Sequence, residues 1–283
     1  MATPPQPPHR SFRAAHIKWL LLIALLVGVG VHIELARRAE AQSLAAEQAA
    51  HQQVLNAELE KSVEGVISQN QEISFSVAVL AGPGATPQVF GDSGTQDAAS
   101  TAKLITAIAF MHRVEKGQAS LNYQINDESA AAELKLLINQ SDDVAWAAFN
   151  EKLGHYYLQA YANSLGLHSY SADDNTISAA DLAKLVDLLS SSKLLNATHT
   201  KLLLSYMQHT NYEDFITPAV PLADKLYHKV GIDDDQVNDV AIIIGGQRTL
   251  AISIFTNGHG TYDWQNRAVL MQQITKAAEK AYL

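Results

Sequence analysis

Hydrophobic and polar positions follow two different periods along this chain, and the two periods separate strands from helices. Between residues 73 and 79, large apolar side chains occupy every second position, which is typical of a β-strand. Residues 237–244 and 249–255 are β-branched runs joined by Gly245-Gly246-Gln247-Arg248, and this pattern predicts a β-hairpin. Strands are therefore expected near both ends of the folded region.

Apolar residues spaced three or four apart predict helices elsewhere. The apolar positions from Leu55 to Ile67 recur every fourth residue and predict an amphipathic helix at the start of the folded domain. Residues 100–210 show helical periodicity interrupted by loops, and residues 262–283 predict a closing helix. Its apolar side is expected to contain Val269, Leu270 and Ile274. This order predicts an antiparallel sheet built from both chain ends, with helices on its faces and a helical subdomain inserted.

The N-terminal part of the chain predicts segments outside that domain. Residues 1–18 are rich in proline and basic side chains and predict a flexible cytoplasmic tail. Residues 19–35 are mainly apolar and predict a transmembrane signal anchor, or a signal peptide if the small-x-small pattern at 39–41 is cleaved. Residues 36–53 predict a helical stalk, and residues 54–283 predict the folded domain. That domain is expected outside the cytoplasm, anchored to the membrane or, after cleavage, secreted.

Composition and charge exclude several classes of protein. The 283 residues carry a net charge of −9 although the N-terminal segment is basic, so the exported part is strongly acidic. This acidity opposes binding to nucleic acid. The absence of cysteine excludes disulfides and thiolate chemistry. The histidines lack metal-ligand spacing and Asp233-Asp234-Asp235 is typical of a solvated turn, so we expect neither a metal nor a cofactor.

A single lysine in an apolar helix is the first sign of chemistry. Between Ala98 and Met111 only Lys103 is charged, and a helix this apolar is expected to be buried. Burial lowers the pKa of a lysine, so Lys103 can accept a proton near neutral pH, and Ser100 lies one helical turn earlier. The alternative is a lysine whose aliphatic chain reaches the surface and keeps its charge in water.

The same serine-x-x-lysine spacing occurs again at Ser190 and Lys193. This second copy lies at the polar end of a predicted helix, where a solvated lysine complements the helix C-terminus. We therefore expect chemistry at the first copy and not at the second.

Two further polar segments follow in a fixed order. Ser141-Asp142-Asp143 is a polar break between two helical runs, and Lys229-Val230-Gly231 lies in a strand-like segment. Together with Ser100-Thr101-Ala102-Lys103, they make the chain resemble the class A β-lactamases and, more widely, the penicillin-recognising serine hydrolases, which carry S-x-x-K, S-D-N and K-T-G in this order. The first motif matches in full and the other two match at two of three positions. The resemblance covers residues 55–283.

The resemblance implies a β-lactamase/transpeptidase-like fold. That fold is α+β, with a five-stranded antiparallel sheet from both chain ends flanked by helices and an inserted all-helical subdomain. In this chain we expect one N-terminal transmembrane or signal helix to precede it.

The resemblance also implies a role for each matching residue. Ser100 is expected to be the nucleophile and Lys103 its base. Ser141 is expected to relay a proton to the leaving nitrogen, and Lys229 to supply positive potential for a substrate carboxylate. The oxyanion hole is expected to use the backbone N–H groups of Ser100 and Ile232. The residues expected to bind substrate are Asp143, Val230, Gly231 and Ile232.

Three features depart from the family pattern. Asp143 replaces an Asn that donates to the substrate's side-chain amide, and an ionised carboxylate only accepts. Val230 replaces a Thr whose hydroxyl binds the substrate carboxylate. The loop of residues 167–176 lacks the glutamate that activates water in class A enzymes. Asp173 and Asp174 are expected to cap the following helix, and the alternative is that one of them activates the water.

These residues lead to two hypotheses about function. The first is an exported serine hydrolase, acylated at Ser100 by a β-lactam or by the D-alanyl amide of a peptidoglycan stem peptide. The second is a catalytically weak or inactive cell-envelope binding protein with the same fold. The substitutions at Asp143 and Val230 favour the second hypothesis, whereas the complete first motif favours the first.

Overall fold

The computed structural model describes the backbone of residues 12–82 and 84–283, and the side chains of the first helix at Trp19, at His32 and from Glu34 onward. The chain divides into two units, Met1–Val54 and Leu55–Leu283. The predicted cytoplasmic tail and most side chains of the predicted membrane anchor lie outside the described residues. Within the described part of the chain, no helix combines the length and the apolar character that crossing a membrane requires.

A five-stranded antiparallel sheet forms the centre of the second unit, as predicted. The strands are β1 (Ser74–Ala81), β2 (Gln88–Gly91), β3 (Thr95–Asp97), β4 (Gln124–Ile125), β5 (Glu128–Ser129), β6 (Thr176–Ser178), β7 (Lys225–Asp233), β8 (Gln236–Gly245) and β9 (Arg248–Asn257). The large sheet has the order β2-β1-β9-β8-β7, and every neighbouring pair is antiparallel. Two short ribbons, β3-β6 and β4-β5, complete the strands. Both ends of the domain sequence therefore contribute to one sheet, and β7 is an edge strand.

Helices cover the sheet and fill the middle of the sequence. They are α1 (Phe12–Gln69), α2 (Lys103–Glu115), α3 (Ala130–Lys135), α4 (Asp143–Leu153), α5 (His155–Ser164), α6 (Ala179–Ser190), α7 (Ala197–Tyr206) and α8 (Trp264–Tyr282). Helices α2 to α7 all lie between β3 and β7 in the sequence, which agrees with the predicted helical insertion.

Two apolar clusters hold the sheet, one on each face. Side chains alternate along β1, so Ala78 and Leu80 enter the cluster that contains α2 and α6. Val77 and Val79 enter the other cluster, which contains α8 and the C-terminal part of α1. Each large apolar side chain buried in this way stabilises the fold by about 1.5–3 kcal/mol. The sheet is thus the middle layer of a three-layer domain, and its edge at β7 meets the helical insertion.

Helix α8 corrects one detail of the sequence analysis. Leu270 and Ile274 are buried in the second cluster, but Val269 is about half exposed, so its predicted place on the apolar side is wrong. The buried stripe of α8 continues through Met271 and Ala278, spaced three or four apart. Val269 lies one residue before that stripe, which rotates it about 100° around the helix axis toward solvent.

Candidate active site

Ser100 lies in a short 3-10 turn, Ala99–Ala102, that leads directly into α2. The turn is held on both sides. The backbone N–H of Ala99 donates to Asp97 Oδ1 at 2.7 Å, which lets Ala99 adopt a positive φ of 46°. The side-chain amide of Asn175 donates to the carbonyl of Ala99 at 3.2 Å. These contacts fix the backbone of the serine before any ligand is present.

Strand β7 passes so close to this turn that only glycine fits at position 231. A Cβ atom on Gly231 would lie 2.8 Å from the backbone nitrogen of Thr101 and 2.9 Å from that of Ser100. Both are main-chain atoms, which cannot move aside as a flexible side chain can. The approach brings the segment Gly231-Ile232 beside Ser100, where the resemblance places the oxyanion hole.

Lys103 is completely buried, and its ammonium donates to three acceptors. The Nζ atom lies 2.9 Å from Ser100 Oγ, 2.6 Å from the carbonyl oxygen of Ser141 and 2.6 Å from Asp143 Oδ1. It also lies 5.1 Å from the centre of the Trp146 ring, a cation–π contact. The sequence alternative, a lysine that extends to the surface, is wrong because the side chain is held inside by these partners.

Ser141 connects Lys103 to the second lysine of the cluster. Lys229 Nζ donates to Ser141 Oγ at 2.8 Å, and Lys103 Nζ lies 3.4 Å from the same hydroxyl. The backbone of Ser141 is left-handed, with φ 58°, and follows a single π-helical turn at Leu136–Gln140. Asn139 in that turn donates to the carbonyl oxygens of residues 206, 208 and 209, which anchors the loop to the end of α7.

Burial lowers the pKa of both lysines. For Lys103 desolvation acts most strongly, and the contact with Asp143 opposes it without cancelling it. For Lys229 desolvation and the nearby charge of Lys103 lower the pKa to about 7. Each lysine therefore exchanges a proton nearer to neutral pH than an exposed lysine does.

The structure separates the residues that the sequence analysis grouped as substrate-binding. Asp143 lies in the cluster, with its side chain 83% exposed beside the buried Lys103. Val230 does not face the cluster, because its side chain packs into the second apolar cluster on the opposite face of the sheet. Only its carbonyl oxygen takes part, accepting from Lys229 Nζ at 2.5 Å. Gly231 and Ile232 lie on the strand beside Ser100.

The two aspartates of the loop at residues 167–176 bind elsewhere. Asp173 pairs with His155 at 2.8 Å on the surface, and Asp174 accepts from a serine hydroxyl within the loop. Helix α6 is capped instead by Ser178, whose hydroxyl accepts a backbone N–H of the first turn. The predicted capping role of Asp173 and Asp174 is therefore wrong. The cap comes later because the chain first forms β6, paired with β3.

The second serine-x-x-lysine copy forms no cluster. The hydroxyl of Ser190 donates to the carbonyl of Asp187 at 2.8 Å, within its own helix. Lys193 is exposed, as its position at a polar helix end predicts.

A buried ionic cluster beneath Lys229 has no counterpart in the sequence analysis. His228 Nδ1 lies 3.2 Å from both carboxylate oxygens of Asp239, and its Nε2 lies 3.3 Å from Glu213 Oε1. His228 and Asp239 are both buried. Alternation along β7 turns His228 to the face opposite Lys229, so the cluster supports the strand from behind. Two adjacent titratable residues in a strand, His228 and Lys229, are a signal in the sequence that could point to this cluster. The partners of His228, however, lie on other elements.

Charge explains why this histidine tolerates burial. Desolvation alone would lower the pKa of His228, but Asp239 and Glu213 together raise it to about 9. The hydrogen bond to His228 in turn lowers the pKa of Glu213 to about 2. His228 is therefore charged at neutral pH.

A sequence model of the beta-lactamase enzyme family matches residues 58–282, a range that contains the whole cluster around Ser100. The chain belongs to the beta-lactamase enzyme family. No curated protein matches this family member in sequence.

Solved structures show the same beta-lactamase fold at low sequence identity. A structure of PBP-A is 18% identical, with a TM-score of 0.71 over 77% of this chain and 93% of that chain. The ancestral class A beta-lactamase GNCA is also 18% identical, with a TM-score of 0.70 over 79% of this chain and all of that chain. The L158E mutant of PBP-A, solved as an acyl-enzyme complex with penicillin G, is 19% identical, with a TM-score of 0.70 over 77% of this chain and 94% of that chain. At these identities the likeness establishes the fold.

The contact at Gly231 predicts a loss of stability when a methyl group is added. We expect Gly231→Ala to lower the free energy of unfolding by about 1–3 kcal/mol, because its Cβ meets main-chain atoms. Gly65→Ala is the control, since nothing lies within 4 Å of a Cβ there and alanine favours the helix by about 0.5–1 kcal/mol. Urea unfolding measures both. Equal effects of the two changes would contradict the close approach of β7.

The cluster around His228 predicts a pH dependence of stability. Its pKa is raised from 6.5 to about 9 by folding, so its stabilising contribution is complete below pH 6.5 and is lost as the pH rises through about 9. We expect the stability difference between the native chain and His228→Gln to shrink over that range by at most about 3 kcal/mol.

Thermal or urea unfolding at several pH values tests this expectation. The exposed His168→Gln change is the control for replacing a histidine by glutamine. A difference for His228→Gln that grows with pH would contradict the charged state of the buried histidine.

Proposed function

We propose that this protein is a serine hydrolase that is acylated at Ser100 by an amide carbonyl. The observation that carries the proposal is the continuous hydrogen-bonded chain from Ser100 Oγ through Lys103 Nζ and Ser141 to Lys229 Nζ. It joins a nucleophile, a buried amine and a hydroxyl that both lysines contact. Membership of the beta-lactamase enzyme family supports hydrolase chemistry at this position.

The cluster contains the groups that acyl transfer requires. Lys103 first releases one proton, which its lowered pKa favours. Ser100 Oγ then bonds to the carbonyl carbon while its proton passes to the neutral Nζ of Lys103. The bond from carbon to the leaving nitrogen breaks, and that nitrogen takes a proton through Ser141. Water afterwards cleaves the ester, which releases the acid and restores the serine hydroxyl.

The substrate class that fits this chemistry is a β-lactam or a D-alanyl peptide amide. The oxyanion would be stabilised by the backbone N–H groups of Ser100 and Ile232, which side-chain changes leave in place. Support comes from the PBP-A mutant that forms an acyl-enzyme with penicillin G, a protein of the same fold. We propose further that the domain acts outside the cytoplasm, tethered through residues 19–35, because of the apolar and basic pattern of the N-terminal segment.

A second candidate function is a weak or inactive cell-envelope protein that binds wall peptide. Two observations favour it. The loop aspartates Asp173 and Asp174 bond to His155 and Ser171 in the structure, which leaves neither carboxylate bonded to the cluster around Ser100, where a water-activating group is needed. Asp143 also pairs directly with Lys103, which stabilises the protonated form of the proposed base.

Covalent labelling distinguishes the two functions. We expect the full-length chain to form an adduct with a fluorescent penicillin, detected by intact mass, because Ser100 is the nucleophile. Ser100→Ala should abolish the adduct. Ser190→Ala, which removes the serine of the second serine-x-x-lysine copy, should leave it unchanged and is the matched control.

Each other result has a definite meaning. An adduct that persists in Ser100→Ala contradicts the assignment of the nucleophile. The absence of any adduct in the native chain supports the binding protein instead. The rate at which a formed adduct disappears then measures hydrolysis of the ester.

A further inference from the structure

Asp143 is an exposed charge that shares Lys103 as a hydrogen-bond partner with Ser100. Its Oδ1 atom lies 2.6 Å from Lys103 Nζ, the same nitrogen that lies 2.9 Å from Ser100 Oγ. The Asp143 side chain is 83% exposed, whereas Lys103 is fully enclosed. One oxygen of the carboxylate therefore holds the lysine, and most of the side chain remains open to solvent beside the cluster.

An ionised carboxylate accepts hydrogen bonds and donates none. An acyl donor that presents a carbonyl oxygen to Asp143 places two acceptors against each other. A donor that presents an ammonium gains a charge-assisted hydrogen bond, worth about 1.5–3 kcal/mol. The carboxylate of Asp143 therefore favours an acyl donor that presents a positive charge over one that presents a neutral carbonyl.

The surroundings of the site strengthen that discrimination. Apart from the two lysines themselves, the charged groups that shift the pKa values of Lys103 and Lys229 are carboxylates, those of Asp142, Asp143 and Asp239. Across the turn that holds Ser100, the charge of Asp233 contributes to raising the pKa of Asp97. The two ammonium groups are buried and already bonded to protein atoms. The exposed charge offered to a ligand beside Lys103 is therefore the carboxylate of Asp143.

A cationic ligand would also act on the base. The three N–H groups of the Lys103 ammonium are matched by the oxygens of Ser100, Ser141 and Asp143. Asp143 is the one negative charge among these acceptors, so it favours the protonated lysine. A positive charge placed on Asp143 weakens this effect and repels the ammonium. Lys103 then loses its proton more easily, and Ser100 is activated as the ligand binds.

We propose that Asp143 makes this site selective for acyl donors that carry a protonated amine on the side chain of the acyl group, an inference that rests on the acyl transfer at Ser100 proposed above. The ammonium pairs with the exposed carboxylate of Asp143. Binding of the correct donor and release of the Lys103 proton are then coupled. Donors without a positive charge at this position meet an acceptor-only group and a lysine that releases its proton less readily.

Two penicillins that differ only by an amine test the proposal. Ampicillin carries an α-amino group on its side chain, and benzylpenicillin is the same molecule without it. At pH 6, where the amine is protonated, we expect the full-length chain to be acylated by ampicillin at least about tenfold faster, since one charge-assisted hydrogen bond distinguishes them. Intact mass against time gives both rates.

The variant Asp143→Asn should bring the ratio of the two rates to about one, because an amide accepts and donates without charge. Asp142→Asn is the matched control. It removes the neighbouring charge, but Asp142 bonds to the backbone N–H of Ala145 at 2.8 Å, a contact that an asparagine oxygen can also make. The control should keep the tenfold preference. Circular dichroism confirms that both variants fold.

The outcomes distinguish the selectivity at Asp143 from the acyl transfer at Ser100. Acylation of the native chain at equal rates by both penicillins overturns the selectivity and leaves the acyl transfer standing. A preference that survives Asp143→Asn, or that disappears in Asp142→Asn as well, overturns the assignment to Asp143. Failure of both penicillins to acylate the native chain and Asp143→Asn overturns the acyl transfer, and the selectivity with it.

Discussion

The burial of one ammonium group organises this protein's site. Lys103 sits at the start of a helix that is buried from that residue to Met111, so its charge has no access to water. An isolated charge in such a place costs several kcal/mol, and the chain offsets this by directing three oxygens at it. Those oxygens come from the 3-10 turn that contains Ser100, from Ser141 just after the π-helical turn, and from Asp143 at the start of α4. The need to solvate Lys103 therefore assembles the cluster.

The sheet places the second lysine in the cluster, because successive side chains along a strand point to opposite faces. Along β7, Lys229 points toward the cluster, while its neighbours His228 and Val230 point to the other face. There, Val230 enters the apolar core and the positive charge of His228 pairs with the carboxylates of Asp239 and Glu213. A strand with three consecutive buried residues of such different character is held in one register, because a shift by one position would bury Lys229 among apolar side chains.

Local patterns in the sequence were sufficient for the central sheet and for the burial of Lys103. Alternation at residues 73–79 and in the two C-terminal runs predicted the sheet, and the lone lysine between Ala98 and Met111 predicted a buried amine. What the sequence could not predict depends on contacts between distant elements. The Asp143 carboxylate was expected to face a substrate, yet one of its oxygens holds a lysine 40 positions earlier in the chain. Likewise, the partners of His228 come from a loop and from the next strand, and no periodicity identifies them.

The left-handed backbone at Ser141 restricts which side chains the chain can use there. Branching at Cβ is strongly disfavoured in this conformation, so threonine, the other residue with an aliphatic hydroxyl, is a poor substitute at this point. Asparagine, aspartate and glycine adopt the conformation more readily, but none of them offers a hydroxyl group. Backbone shape and the hydrogen bonds from Lys103 and Lys229 thus make independent demands on one position, and serine is the amino acid that meets both.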